Sequence, residues 1–161
     1  MERNEKFIKC FDDQKNMLVA LEQAKLAYNE DEVPIGCCIV DMNNNIICET
    51  RNKKEEMNNS LMHAEMQALN IAMEKLGTKY LYEYCMYVTL EPCAMCAGAL
   101  VNARIGRLVY GLEEPKTGCC GSKFNLVDGS FNHTILVEKG TYKDEIKELM
   151  SSFFQAKRNK N

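Results

Sequence analysis

"CMYVTLEPCAMC" occupies residues 85–96. Its first half, 85–90, is a short run rich in β-forming residues and reads as a strand. Its second half turns on Pro92, which suits the first turn of a helix because it lacks an N–H and fixes φ. That third helix is predicted to run to about Arg104. A strand running directly into a helix is the joint of an α/β layer structure. Two cysteines sit at the joint. Cys93 and Cys96 are three residues apart, so both sulfurs fall on one face, and a helix N-terminus favours their thiolate forms.

The pattern extends on either side. Residues 12–30 read as an amphipathic helix, with Met17, Leu18, Leu21, Ala24 and Tyr28 at helical spacing on one face. "IGCCIVD" (35–41) follows Pro34 and is too short for a helix, so it reads as a buried strand. "NNN" (43–45) is a tight turn, since Asn tolerates positive φ, and "IICETR" (46–51) completes a hairpin. Residues 52–61 are a polar loop. A second helix starts near His63 and ends at Gly77, with Met66, Leu69, Met73 and Leu76 inward. Strands are predicted at 107–111 and 133–139. A last helix is predicted at 142–157, striped by Ile146, Leu149, Met150, Phe153 and Phe154. With no internal repeat or linker, 161 residues fit one domain, 1–161, with a full core.

The composition is 46% hydrophobic and 27% charged, ordinary for a globular chain. No apolar run approaches the roughly 18 residues that span a bilayer. The N-terminal "MERNEKFIKCFDDQKN" is polar and lacks the apolar core of a secretory signal. An intracellular protein is expected, in the cytoplasm, or in the nucleus if the source is eukaryotic. Nine cysteines, an odd number, then read as buried thiols, metal ligands or catalytic groups rather than disulfides. A net charge of −3 excludes a strongly basic general nucleic-acid binder. Any nucleic-acid contact must use a local patch.

A thiolate pair needs further ligands before it is a metal site. The chain has two histidines. His133 stands alone in a strand-like stretch, whereas His63 stands at a predicted helix start with Glu65 two residues on. One imidazole and two thiolates make three zinc ligands, and three with an open fourth position is the catalytic pattern. Water in that position has its pKa lowered to about 7, and Glu65 is then a carboxylate placed to shuttle protons. Each piece alone has a blander reading. A C-x-x-C fits a redox pair. Cys119 or Cys120 could close a structural zinc site, although adjacent cysteines point apart. Glu65 alone is a first-turn acid favoured by the helix dipole. Together, His63-Ala64-Glu65 and Pro92-Cys93-Ala94-Met95-Cys96 match the H-x-E…P-C-x-x-C signature of zinc deaminases. The 26 residues between Glu65 and Pro92 leave room for the rest of a helix, a connection and a strand.

At these residues the chain resembles the tRNA-specific adenosine deaminases of the cytidine deaminase superfamily. The resemblance takes in "EVPIG" (32–36), Asn52, "HAE" (63–65), "YVTLEPCAMCAGAL" (87–100), "RIGRLVYG" (104–111), "KTGCCGSKFNL" (116–126) and the "FF…KR" of the last helix. The HAE and PCxxC pieces belong to the whole superfamily. EVPIG and the KTG…GS…N loop point to the tRNA enzymes. The resemblance implies a three-layer α/β/α fold on a central five-stranded mixed sheet, with one zinc per chain at the N-termini of the second and third helices. It implies that Asn52 contacts the purine of a flipped base. It also implies that Lys116, Ser122, Phe153, Phe154, Lys157 and Arg158 lie where family members meet the anticodon stem-loop. Two departures stand out. Bacterial members usually carry Asp-Pro-Thr-Ala before the histidine, and here it is Asn59-Ser60-Leu61-Met62, with the bulkier Met62 expected at the pocket rim. Arg51 precedes Asn52 where bacterial members often have an aromatic residue. Both lean toward the catalytic subunit of the eukaryotic enzyme, which pairs with an inactive paralogue. The bacterial enzyme is a homodimer.

The implied reaction is hydrolytic deamination of the wobble adenosine to inosine, with Glu65 protonating N1 and then the departing amine. Two alternatives remain open. One is a zinc deaminase of a free base or nucleoside, of the cytosine or guanine type. The other is a non-catalytic zinc-binding subunit, which would not need Glu65.

Overall fold

The computed structural model describes residues 2–160, so Met1 and Asn161 of the expected 1–161 domain lie outside the described residues. The elements are α1 (Glu2–Lys9), α2 (Asp13–Asn29), β1 (Gly36–Val40), β2 (Ile46–Arg51), α3 (Ala64–Leu76), β3 (Cys85–Leu90), α4 (Ala94–Asn102), β4 (Arg107–Leu112), β5 (Leu136–Lys139) and α5 (Lys143–Lys160). The strands form one sheet in the order β2-β1-β3-β4-β5. β1 runs antiparallel to β2 and β3, whereas β3, β4 and β5 are parallel. The five-stranded mixed sheet expected from the resemblance is present. Among the described residues no helix is long and apolar enough to cross a membrane.

Strand side chains alternate between faces, and this chain buries both. Cys37, Ile39, Met86, Val88, Leu108 and Tyr110 pack with Ala64, Ala68, Ala72 and Leu100 of α3 and α4. Cys38, Val40, Cys85, Tyr87 and Val109 pack with Met17, Ala20 and Leu21 of α2 and Ile146 of α5. Burial on both faces is why "GCCIV" and "CMYVT" are continuous apolar runs without a polar alternate. Gly36 lets α2 come down onto the sheet. A Cβ there would stand 1.9 Å from the Ala20 carbonyl oxygen.

The structure departs from the sequence reading in several places, and Leu18, expected on the apolar face of the first long helix, is 43% exposed. The unassigned N-terminus folds as α1, and Phe7 meets Phe11 edge-on at 5.0 Å. The inner face of α3 is led by Ala64, Ala68, Leu69 and Ala72, because α3 sits too close to the sheet for Met66 and Met73, which are only half-buried. β5 starts at Leu136 rather than 133, since Thr134 bridges to Asp128 and Ile135 N–H donates to Val127 before the strand joins β4. In α5, Ile146 and Phe153 are buried, but Phe154 is 41% exposed.

An ion pair between a buried arginine and a half-buried aspartate ties the first long helix to the sheet. Arg107 on β4 is 3% exposed and donates two hydrogen bonds to Asp13, at 2.6 and 2.9 Å, and the Tyr87 hydroxyl donates a third at 2.6 Å. Burial alone would raise the Asp13 carboxyl, but Arg107 and Tyr87 hold it below the ordinary carboxylate range. Removing one partner strands the other charge, so Asp13→Ala is expected to cost about 3–5 kcal/mol in chemical denaturation. Because the folded-state pKa is depressed, this contribution is present above the unfolded value of about 3.9 and is lost as pH falls through the folded one. The difference between wild type and Asp13→Ala should therefore shrink below about pH 4. A difference that stays constant through that range would contradict the assignment.

Candidate metal centre and active site

Three strand and helix ends converge on one point. His63 is the N-cap of α3 and Cys93 the N-cap of α4, and neither side chain caps its own helix, so both are free to act as ligands. Cys96 follows on the first turn of α4. The start of α3 is tied to β2, with the Thr50 hydroxyl donating to the Ala64 carbonyl at 2.7 Å and Gln67 Nε2 to the Arg51 carbonyl at 2.7 Å. The start of α4 follows directly from β3 through Glu91 and Pro92.

His63 Nδ1 lies 3.7 Å from Cys93 Sγ and 3.5 Å from Cys96 Sγ, and the three ligand atoms lie within 4.8 Å of one another. Around a tetrahedral zinc, with nitrogen at about 2.0–2.1 Å and sulfur at about 2.3 Å, such atoms stand about 3.6 Å apart. The geometry and the donor set both fit zinc with three protein ligands. Cys119 and Cys120 are not in this group, so the four-ligand structural site is not formed. His133 is accounted for elsewhere, its Nε2 lying 2.7 Å from the Ile105 carbonyl.

The electrostatics agree with the geometry. The Cys96 thiol donates toward Cys93, which holds Cys93 down at about 3 and pushes Cys96 well up. A proton shared between two sulfurs accounts for both shifts, and a metal cation would take that proton's place. The hydrogen bond with Cys93 likewise raises His63. Glu65 is 4% exposed, and burial lifts its carboxyl to about 7. A carboxyl in that range can both accept and give a proton near neutral pH.

A cavity of about 120 Å³ opens beside these groups, lined by Val33, Ile35, Asn52, Lys54, His63, Ala64 and Glu65. Asn52 is buried there, its Oδ1 accepting the Lys54 N–H at 3.2 Å and its Nδ2 donating to the Val33 carbonyl at 3.4 Å. Val33, Asn52 and Lys54 also line an outer groove of about 460 Å³, whose far wall carries Phe153, Phe154 and Lys157 of α5. The structure thus brings Asn52, His63, Glu65 and part of α5 along one path. Lys116 is exposed, Ser122 is half-buried with its hydroxyl on Glu91, and Arg158 is exposed; none of the three lines either cavity. Phe153 is buried against Tyr28, and Lys157 pairs with Asp31 at 2.9 Å. Met62 is half-buried and is not among the residues lining the inner cavity. Arg51 is engaged by Glu30 at 2.6 Å. A larger cavity of about 770 Å³, between α1 and residues such as Tyr82 and Gly106, lies away from the metal ligands.

Two acids inside the quoted motifs carry roles that sequence reasoning missed. Glu32 is 1% exposed and accepts the N–H groups of Glu55 and Glu56 at 3.0 and 2.8 Å, fixing the turn that presents Lys54. Glu91 does the same for the loop at 114–122. Their partners are backbone groups distant in sequence, so no residue pattern announces them. The only signal is an acid inside an apolar motif.

The sequence model of the MafB19-like deaminase family matches residues 11–158. The chain is 41% identical over 149 residues to the tRNA-specific adenosine deaminase of Bacillus subtilis, covering 92% of each chain. A solved structure from work on A-to-I editing by tRNA:A34 deaminases at the wobble position of transfer RNA is 37% identical, with a TM-score of 0.77 over 84% of this chain and 98% of that one. The guanine deaminase of Nitrosomonas europaea superposes equally well, with a TM-score of 0.78 over 88% of this chain and 84% of that one, at only 22% identity. That last likeness concerns the fold alone.

Proposed function

The chain belongs to the family of the tRNA-specific adenosine deaminases, and on that premise we propose that it converts the wobble adenosine of a tRNA anticodon to inosine. The observation that carries this reading is the convergence of His63, Cys93 and Cys96 beside the buried Glu65 and Asn52. In this reading residues 1–161 form one deaminase domain with one zinc per chain.

The reaction consumes water and releases ammonia: a C–O bond forms at C6 of adenine and the C6–N bond breaks. His63 Nδ1 and the sulfurs of Cys93 and Cys96 would hold the zinc. Bound zinc supplies Lewis acidity and lowers the pKa of water to about 7. Glu65 takes one proton from the attacking water and delivers it to N1 of the ring, then takes the second from the new hydroxyl at C6 and delivers it to the 6-amino group as it leaves. Its burial keeps that proton from exchanging with bulk solvent. Asn52 offers both an amide donor and a carbonyl acceptor to the edge of the purine. The first N–H groups of α3 and α4 have no partner within their own helices, and such helix starts favour the negative charge that develops in the reaction. The base must leave its stack to reach C6, and a loop nucleotide does so at lower cost than one in a duplex.

The outer groove is where flanking nucleotides lie, with Phe154 as a stacking face. Phe153, Lys157 and Arg158 belong to the same surface, and Lys116 and Ser122 lie on the loop at 114–122. Lys157 must exchange Asp31 for a phosphate. Both ends of that pair are exposed, so the exchange costs little. The protein acts as a dimer, either with itself or with an inactive paralogue.

Deleting residues 156–161 is expected to raise KM for an anticodon stem-loop and leave zinc in place. The log–log salt dependence should flatten by about 0.7 for each phosphate that the shortened helix no longer neutralises. No change in either KM or slope would make the tail a solvated helix end. The substrate class is tested by comparing turnover of the stem-loop with free guanine, cytosine and adenosine, with any required partner subunit supplied. Faster turnover of a free base would replace the RNA reading with the nucleobase one.

A further inference from the structure

Glu91 is 3% exposed, and among the described residues it forms no ion pair. A buried carboxylate without a cation is costly unless hydrogen bonds satisfy it. All four that Glu91 accepts come from one loop. The Glu114 N–H donates to Oε1 at 3.0 Å, the N–H groups of Cys120 and Ser122 donate to Oε2 at 3.0 Å each, and the Ser122 hydroxyl donates to Oε1. The loop also closes down onto this carboxyl. A Cβ at Gly118 would stand 2.4 Å from Glu91 Cδ, so glycine is required there by space. The neighbouring Pro92 carbonyl accepts the Cys119 N–H at 2.9 Å. Two residues after Glu91 comes the metal ligand Cys93.

One side chain therefore fastens residues 114–122 to the strand end that supplies a metal ligand. The loop's exposed crest carries Lys116. We propose that Glu91 is a positioning residue: it holds the 114–122 loop against the strand end that leads into Cys93, with the exposed Lys116 turned to the RNA, and it sets KM for the polynucleotide without touching it. This rests on the RNA reading under Proposed function. It also reassigns Ser122, whose hydroxyl completes the clamp on Glu91 rather than being free for substrate.

The test is Glu91→Gln in the full chain, with any required partner subunit present. Glutamine keeps the shape and one acceptor oxygen but turns an NH2 toward N–H groups that need an acceptor. The expected result is full zinc, kcat within about threefold of wild type and KM for the stem-loop raised about tenfold. Hydrogen exchange should quicken at Glu114, Cys120 and Ser122 but not in β3 or β4. Ser122→Ala removes only the hydroxyl bond and should move KM and exchange in the same direction by less. Lys116→Ala should raise KM in the wild-type background and add little in the Glu91→Gln background, because the loop is already displaced. The proposal is overturned if KM is unchanged while the loop amides exchange faster, if Lys116→Ala adds its full effect in both backgrounds, or if zinc, kcat and stability fall together. Should Glu91→Gln fail to fold, Ser122→Ala decides, and faster exchange with an unchanged KM overturns the proposal. Wild-type protein that ignores the stem-loop overturns the RNA reading and the KM effect with it, whereas the exchange measurement reports the clamp separately.

Discussion

Glu65→Ala is expected to keep its zinc and its fold while losing at least about 10²–10⁴-fold in turnover. Glu65 is not among the group of ligands, and its carboxyl sits beside the inner cavity, so its loss leaves coordination intact. The fold should tolerate the change, because the carboxyl is buried in surroundings that disfavour its charged form. The expected loss is large because one carboxyl serves successive transfers, to N1 and then to the leaving amine. Elemental analysis, circular dichroism and kcat on one preparation check all three statements together. A variant that keeps more than about a tenth of the wild-type rate would remove Glu65 from the proton-transfer role. A variant that loses zinc as well would make the carboxylate part of the metal's support.

Cys93→Ala or Cys96→Ala is expected to abolish activity by a different route, through the metal. Disturbing groups that only support a ligand costs about 10–100-fold in metal affinity, and removing one of three ligands should exceed that. The two cysteines and His63 sit at the starts of two separate helices, so a metal held by them would also join α3 to α4. Loss of zinc should therefore lower stability, and chelation of the wild type should lower it in the same way and be reversed by added zinc. Zinc should measure about one per chain in the wild type. Full occupancy in Cys93→Ala would move the site to other cysteines, with Cys119 and Cys120 the first to examine.

The candidate metal cluster was legible in the sequence for a physical reason. Cys93 and Cys96 lie on one helical turn, so their separation along the chain is their geometry in space. His63 and Glu65 share the start of α3 in the same way. What joins these two pairs is the sheet, and its strands could be read because burial on both faces leaves short apolar runs between turns. The inner faces of the helices were less legible. Hydrophobic size suggested Met66 and Met73, but close approach to the sheet selected Ala64, Ala68 and Ala72. Glu32 and Glu91 were not legible as loop anchors, because backbone N–H groups carry no sequence signature. The ends of α5 were half-legible. The apolar stripe gave Phe153, but not that Lys157 would reach Asp31 across the fold, or that Phe154 would face the outer groove.

The central claim is that this site deaminates a wobble adenosine in RNA. The most direct measurement is nucleoside analysis of an anticodon stem-loop after incubation with the zinc-loaded protein and any required partner subunit, with released ammonia measured in parallel. The account predicts inosine at the wobble position, ammonia in equal amount, and no inosine at other loop adenosines. A stem-loop left unchanged by a preparation that deaminates free guanine or cytosine would contradict it.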